Sequence, residues 1–165
     1  CLDIGTGSGN ISLVLLLQKI VKNVHAIDIS KNAISVAKKN KKLHKINKIH
    51  FENMDIFNCK IHNKYDLIVS NPPYITLNDY EKLPKEIKKY EPKIALTDSH
   101  DGFKFYKKIN NLLPDILQKN GTLLIEIGLE NTKNEINFIF ENSHRQLLWH
   151  KDLNDNYRVL EVKNV

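Results

Sequence analysis

Lys64-Tyr65-Asp66-Leu67-Ile68-Val69-Ser70-Asn71-Pro72-Pro73-Tyr74 decides the fold. Its first part is a compact apolar run that reads as a buried parallel strand. Two consecutive prolines cannot continue a strand, because each lacks an N–H and fixes φ. The backbone therefore leaves the sheet at Asn71, carrying a side-chain amide and then an aromatic ring. Ligands of an open α/β sheet bind at the carboxyl ends of its strands. Asn71, Pro72, Pro73 and Tyr74 thus stand at the mouth of a candidate site. Asn-Pro dipeptides are also common turn formers, so taken alone the stretch is equally a turn that merely ends a strand.

Upstream residues favour the site. Cys1-Leu2-Asp3-Ile4 has strand character and runs into Gly5-Thr6-Gly7-Ser8-Gly9, followed by an apolar helical run from Ile11 to Ile20. Glycines let the backbone turn sharply and approach a ligand, and a helix start offers free N–H groups. A strand, a glycine turn and a helix make a site for a nucleoside. The alternating G-x-G-x-G differs from the dinucleotide fingerprint G-x-G-x-x-G, and a glycine turn without a ligand is the alternative.

Val24 to Asp28 reads as a second strand ending in an acid, about 20 residues beyond the glycine turn, where such an acid holds ribose hydroxyls. Alternatively Ser30 caps the helix Ala33 to His44 and Asp28 is an ordinary loop acid. Lys48 to Glu52 is a short third strand. Asp55, just beyond it, faces the same crevice and suits an exocyclic amine of adenine; the alternative is an Asx-turn.

Downstream, a long polar connection runs from Ile75 to Asp101 and closes at Asp101-Gly102. Phe103 to Gln118 has helical periodicity, with Pro114 marking a break or kink. Gly121 starts a turn, and Thr122 to Ile127 is a fifth strand. Thr132 to Asn142 reads as helix, and Leu147 to His150 with Tyr157 to Val162 as a closing antiparallel hairpin. Strands alternating with helices predict an α/β fold: a doubly wound, mainly parallel, seven-stranded sheet ending in that hairpin.

The 165 residues are expected to form one domain, 1–165, with 41% hydrophobic and 27% charged residues placing it among globular chains. A net charge of +6 is compatible with nucleic acid or another acidic partner. The lysines, however, are spread among Asn and Ile along solvated faces. Cys1 and Cys59 show no paired spacing, which fits a reducing cytoplasm. The seven histidines form no spaced cluster, so no metal is expected. No apolar run approaches a membrane span, and no signal peptide is visible. The first strand is expected to be truncated.

Together these features resemble a class I methyltransferase dependent on S-adenosylmethionine. Asp3-x-Gly5-x-Gly7-x-Gly9 is similar to that superfamily's first motif, Asp28 to its ribose acid and Asp55 to its adenine-side acid. Asn71-Pro72-Pro73-Tyr74 is similar to the signature of members that methylate a planar, conjugated amino group. Glu91-Pro92-x-x-Ala95-Leu96, Glu126-Ile127-Gly128 and Asp152-x-x-x-x-x-Arg158-Val159 narrow the resemblance to the HemK/PrmC family of release-factor glutamine methyltransferases, over nearly the whole chain. Members of that family carry a helical N-terminal substrate domain, which these residues lack.

The resemblance implies transfer of a methyl group from S-adenosylmethionine to the side-chain N5 of the glutamine in the Gly-Gly-Gln motif of a peptide-chain release factor, leaving S-adenosylhomocysteine. It implies that Asp3, Gly5, Thr6, Gly7, Gly9, Asp28, Ile29, Asp55, Ile56 and Asn71 contact the cofactor. Asn71, Pro72, Pro73 and Tyr74 would hold the substrate amide, with Tyr74 stacked on its plane. It implies a protein partner in the cytoplasm, with neither membrane nor nucleic acid as substrate. Two rivals remain: an adenine N6 or guanine N2 methyltransferase of nucleic acid, and a nucleoside-binding fragment without catalysis.

Overall fold

The computed structural model describes residues 1–128 and 132–164. The sheet has seven strands in the order β3-β2-β1-β4-β5-β7-β6. They are β1 (Leu2–Ile4), β2 (Val24–Asp28), β3 (Ile49–Asn53), β4 (Tyr65–Ser70), β5 (Leu117–Glu126), β6 (Arg145–Lys151) and β7 (Tyr157–Asn164). The first five pair in parallel, and β7 lies antiparallel against both β5 and β6. The chain order reverses between β1 and β4, since β1 pairs β2 on one side and β4 on the other. That is the switch point where a crevice opens in a doubly wound sheet.

Helix α1 (Asn10–Leu17) follows the glycine turn, and α2 (Lys31–Leu43) follows β2. Ser30 caps α2, its hydroxyl accepting from the Ala33 N–H at 3.2 Å. Ile34 and Ala37 of α2 pack with Leu13, Val24, Ala26, Ile49 and Phe51 on one face of the sheet. The larger core lies on the other face, where Leu2, Ile4, Ile27 and Ile68 meet Tyr106, Ile109, Leu113 and Ile116. Those last four lie along one face of α6 (Lys104–Ile116), spaced three or four residues apart or a multiple of that, so one helical stripe enters the core. Each fully buried aliphatic contributes about 1.5–3 kcal/mol.

The structure differs from the sequence reading in two segments. The connection from Ile75 to Asp101 is not irregular throughout: it holds α3 (Leu77–Lys82), α4 (Lys85–Tyr90) and α5 (Lys93–Leu96). None exceeds six residues, so none shows a readable apolar period. Second, α6 continues through Pro114 and ends two residues later at Ile116. β5 then begins at Leu117, before the predicted turn at Gly121. Its pairing with β4 jumps from Tyr65↔Leu117 to Leu67↔Thr122, and Asn120 has φ +62°. The turn therefore survives as an irregularity inside the strand. α7 (Lys133–Phe140) completes the layers. No helix among the described residues is long and apolar enough to cross a membrane.

Candidate active site

The glycine turn is an extension of the β1–β2 ladder. The Gly5 and Thr6 N–H groups both donate to the Ile27 carbonyl, at 2.9 and 3.0 Å. Gly5, Gly7 and Gly9 then adopt φ of +75°, +57° and +84°, a repeated left-handed path open to glycine at little steric penalty. Two acids hold it. Asp3 is 1% exposed. Its Oδ2 accepts from the Thr6 hydroxyl at 2.7 Å and the Ser12 hydroxyl at 2.5 Å. Its Oδ1 is buried without a hydrogen-bond partner among the described residues. Burial raises the Asp3 carboxyl above the usual carboxylate range, opposed by the Ser12 and Thr6 hydroxyls.

Asp28 closes the turn from β2. Its Oδ2 accepts from the Gly7 N–H and its Oδ1 from the Ser30 N–H, both at 2.8 Å. The Ser30 cap of the alternative reading is present, and Asp28 in addition holds the glycine turn. Each carboxylate oxygen retains a further lone pair. Asn53 ties the rim to β3, its amide donating to the carbonyls of Asp28 at 2.9 Å and Ile29 at 2.8 Å. The Ile29 side chain is half exposed. Asp55 makes the Asx-turn, accepting from the Phe57 N–H at 2.9 Å, and its other oxygen accepts from the Asn58 amide at 2.6 Å. The Ile56 side chain lies in the core.

Asn71 leaves β4 directly beside the glycine turn. Ile4 and Ser70 are register partners, and the Ser70 hydroxyl donates to the Ile4 carbonyl at 2.9 Å. The next residues on each side are Gly5 and Asn71, and a Cβ on Gly5 would lie 3.9 Å from the Asn71 carbonyl. Asn71 is exposed and Pro72 buried, so an anchored backbone presents a free-standing amide.

Tyr74 is gripped between two glycines. A Cβ on Gly128 would come within 2.7 Å of the Tyr74 ring, and one on Gly102 within 2.5 Å of its carbonyl oxygen. Gly102 also has φ +81°. The Tyr74 hydroxyl donates to Glu126 Oε1 at 3.1 Å. Burial, reinforced by the Glu126 carboxylate, raises the Tyr74 phenol. Tyr106 supports this corner: its hydroxyl donates to the Glu126 carbonyl at 3.1 Å and accepts from the Gly128 N–H at 3.3 Å.

The Glu91-Pro92-Lys93-Ile94-Ala95-Leu96 segment has a physical role in the same corner. Pro92 opens the one-turn helix α5, and the Ala95 N–H donates to the Pro92 carbonyl at 2.9 Å. The turn delivers the Leu96 carbonyl to the Ile75 N–H at 3.0 Å, and Ile75 bridges Thr97 in parallel. Asp98 fixes the return, its carboxylate accepting from the N–H groups of His100, Gly102 and Lys104 at 2.8, 3.1 and 3.1 Å.

Sequence reasoning missed Ser12, Asn53, Asp98 and Tyr106. Ser12 had a signal, a lone hydroxyl inside an apolar helical run. Asn53 and Tyr106 act through partners at least 20 residues away along the chain. Asp98 acts on nearby backbone N–H groups that carry no residue signature. The strand register also sets His25 beside His50, a neighbourhood that linear spacing does not show.

Residues 1–137 match the family described as Methyltransferase domain. The chain belongs to that family. The release factor glutamine methyltransferase of Fusobacterium nucleatum subsp. nucleatum is 43% identical over 163 residues, covering 98% of this chain and 46% of that protein. The protein of the same name from Bacillus cereus is 36% identical, covering 96% of this chain and 56% of the relative. This methyltransferase domain thus spans about half the length of the curated relatives it matches. A methyltransferase from Pyrococcus furiosus shares its fold, with TM-score 0.72 at 18% identity, covering 98% of this chain and 73% of that one. So does magnesium protoporphyrin IX methyltransferase from Synechocystis PCC 6803 with bound SAM, with TM-score 0.63 at 17% identity, covering 99% and 69%.

The donor set suits a nucleoside sulfonium. The start of α1 has no side-chain cap, and a Cβ on Gly7 would meet nothing within 4 Å, leaving open space over the turn. Asp3 Oδ1 is an orphaned acceptor beneath it, and Asp28 is a half-exposed acceptor at its edge.

Proposed function

We propose that this domain transfers a methyl group from S-adenosylmethionine to the side-chain amide nitrogen of a glutamine in a peptide-chain release factor, a cytoplasmic protein substrate. The observation that carries the reading is the register pair Ile4↔Ser70, which sets Gly5 and Asn71 side by side. A cofactor cradle and an amide-binding turn then share one crevice. The release factor as substrate rests on similarity to the relatives of that name.

In this reading Asp28 accepts from ribose hydroxyls, Asp55 offers its remaining lone pairs to the adenine amine, and the glycine turn and α1 start receive the amino-acid end. Bound S-adenosylmethionine supplies an electrophilic methyl group. The residues of the chain do the rest. A glutamine amide nitrogen is a poor nucleophile because its lone pair is delocalised into the carbonyl. The Asn71 side-chain oxygen and Pro72 carbonyl accept its two N–H bonds, fixing the nitrogen in line with the methyl group. Such positioning supplies up to about 7–11 kcal/mol of a barrier. The same acceptors strengthen as the nitrogen becomes positive. As the N–methyl bond forms, the sulfur–methyl bond breaks to leave S-adenosylhomocysteine, and the methylated nitrogen gives up one of its two protons to water. Tyr74, held by Gly102, Gly128 and Glu126, presents its ring to the amide plane.

The test is mass spectrometry of a release factor after incubation with the full-length protein and isotopically labelled cofactor. The expected product is one added methyl on the glutamine of the Gly-Gly-Gln motif. Methylation of DNA or ribosomal RNA with none of the release factor would overturn the reading.

A further inference from the structure

Parallel pairing of β2 with β3 assembles a group of donors that the chain order hides. His25 and His50 are register partners, with ring centroids 5.5 Å apart. Glu52 lies two residues beyond His50, hence on the same face. His25 Nε2 sits 2.9 Å from Glu52 Oε2, and its Nδ1 sits 2.7 Å from the Tyr65 hydroxyl. One ligand atom from each of His25, His50 and Glu52 lies within 4.8 Å of the others. We propose that His25, His50 and Glu52 form a binding site for a divalent zinc-class cation on the face of the sheet opposite α2.

The donor chemistry supports that class. Imidazole nitrogen and carboxylate oxygen are the usual zinc ligands alongside thiolate, and three protein ligands with water in the fourth position is an established arrangement. Ligand atoms around a tetrahedral zinc lie roughly 3.3 Å apart, from bonds of about 2.0–2.1 Å. The His25–Glu52 pair, at 2.9 Å, needs only a small opening to reach that spacing. The His50 ring is exposed and closes the remainder by rotation about its side-chain torsions.

The surroundings of His25 fit a ligand as well. His25 Nε2 faces Glu52 and Nδ1 faces the Tyr65 hydroxyl, so both ring nitrogens have orienting partners. When a cation takes the Nε2 lone pair, the proton resides on Nδ1 and the Tyr65 oxygen accepts it. A hydrogen-bonded partner on the far nitrogen is what orients metal-ligating histidines. The other His–Glu contact differs. His150 Nε2 meets Glu161 Oε2 at 2.7 Å, but Lys163 occupies the second Glu161 oxygen at 3.1 Å, so a cation is already there. Among the described residues, the group on β2 and β3 is the one cluster of three such donors.

Such an ion would cross-link β2 to β3, the edge strand of the sheet. His25 lies three residues before Asp28, about 10 Å along the strand. The site is therefore separate from the crevice, and its role is to stiffen the strand that carries Asn53. It does not depend on the proposed methyl transfer.

The test is calorimetric titration of the chelator-treated full-length protein with zinc chloride, alongside nitrogen-15 spectra of the histidine rings. The expected result is one site in the micromolar range, with zinc shifting the ring resonances of His25 and His50. His50→Ala and Glu52→Gln should each weaken binding by at least about tenfold. Both change exposed or half-exposed side chains, and circular dichroism checks that they fold. Absence of zinc binding, or equal affinity in the parent and both variants, would overturn the proposal.

Discussion

The glycine turn and the Asn71–Tyr74 turn leave adjacent strands side by side, yet they are held by different means. Polar bonds to backbone N–H groups and hydroxyls fix the first: Asp28 on Gly7 and Ser30, Asp3 on Thr6 and Ser12. The second is fixed largely by shape, with Tyr74 seated where Gly102 and Gly128 leave no room for a Cβ. The difference follows from what each presents. On the proposed function, a turn that lays its glycine backbone against a ligand needs its own N–H groups satisfied internally, as those of Gly5, Thr6 and Gly7 are by Ile27 and Asp28. A turn that offers one free amide and one ring needs only a rigid seat. Substitutions on the two sides should therefore fail differently.

The largest effect is expected at Asn71, the least anchored side chain. On the proposed function, Asn71→Ala removes one of two acceptors for the substrate amide and lowers the single-turnover rate by about 10²–10³-fold. Cofactor affinity stays near the parent value, because the bond strengthens only as charge develops on nitrogen. Asn71→Asp retains an acceptor and is the better tolerated of the two. A rate for Asn71→Ala within a few-fold of the parent would reduce Asn71 to a turn former.

Next comes Gly102→Ala. The added Cβ meets the Tyr74 carbonyl at 2.5 Å in a left-handed backbone. Left-handed strain and overpacking together predict a loss of roughly 2–3 kcal/mol in urea denaturation. A loss below about 0.5 kcal/mol, the usual range for surface changes, would show that the seat gives way easily.

Asp28→Ala is the matching change on the polar side. It removes the acceptor for two N–H groups of the turn and, on the proposed function, for the ribose. Cofactor affinity measured by calorimetry should fall by about 1.5–3 kcal/mol, the worth of hydrogen bonds to a charged group. Unchanged affinity would sever Asp28 from the ligand and leave it a purely internal brace.

How much of this was legible beforehand depended on distance along the chain. The β4 strand, its exit at Asn71 and the glycine turn are contiguous signals, and the structure has them at the expected residues. Asp55 was ambiguous for a physical reason: an Asx-turn and a ligand-facing carboxylate use the same residue, and here the turn uses one oxygen while lone pairs remain. The short helices α3 to α5 carry too few residues to show a period. Their order comes from Asp98 and from the Ile75–Thr97 bridge, both set by pairings some twenty residues apart or by backbone donors without sequence identity. The His25–His50 pairing was invisible because only the β2–β3 register creates it.

The smallest effect is expected for Tyr74→Phe, and it tests the comparison most directly. The ring keeps its contacts with Gly128, so the seat survives. What disappears is one hydrogen bond from the phenol to Glu126 Oε1. The raised pKa of that phenol keeps it protonated and donating through neutral pH. Glu126 is half exposed, so water replaces the lost donor. The change in stability should be about 0.5–1.5 kcal/mol, the net worth of one such bond. On the proposed function the rate should change little, because the ring and not the hydroxyl faces the substrate. Denaturation and single-turnover measurements on the same variant separate the two readings. A small stability change with a rate loss above about tenfold, or 1.4 kcal/mol in barrier, would mean that the Glu126 bond aims the ring. The substrate side would then be held by polar contacts as much as the glycine turn is, and shape alone would no longer distinguish it.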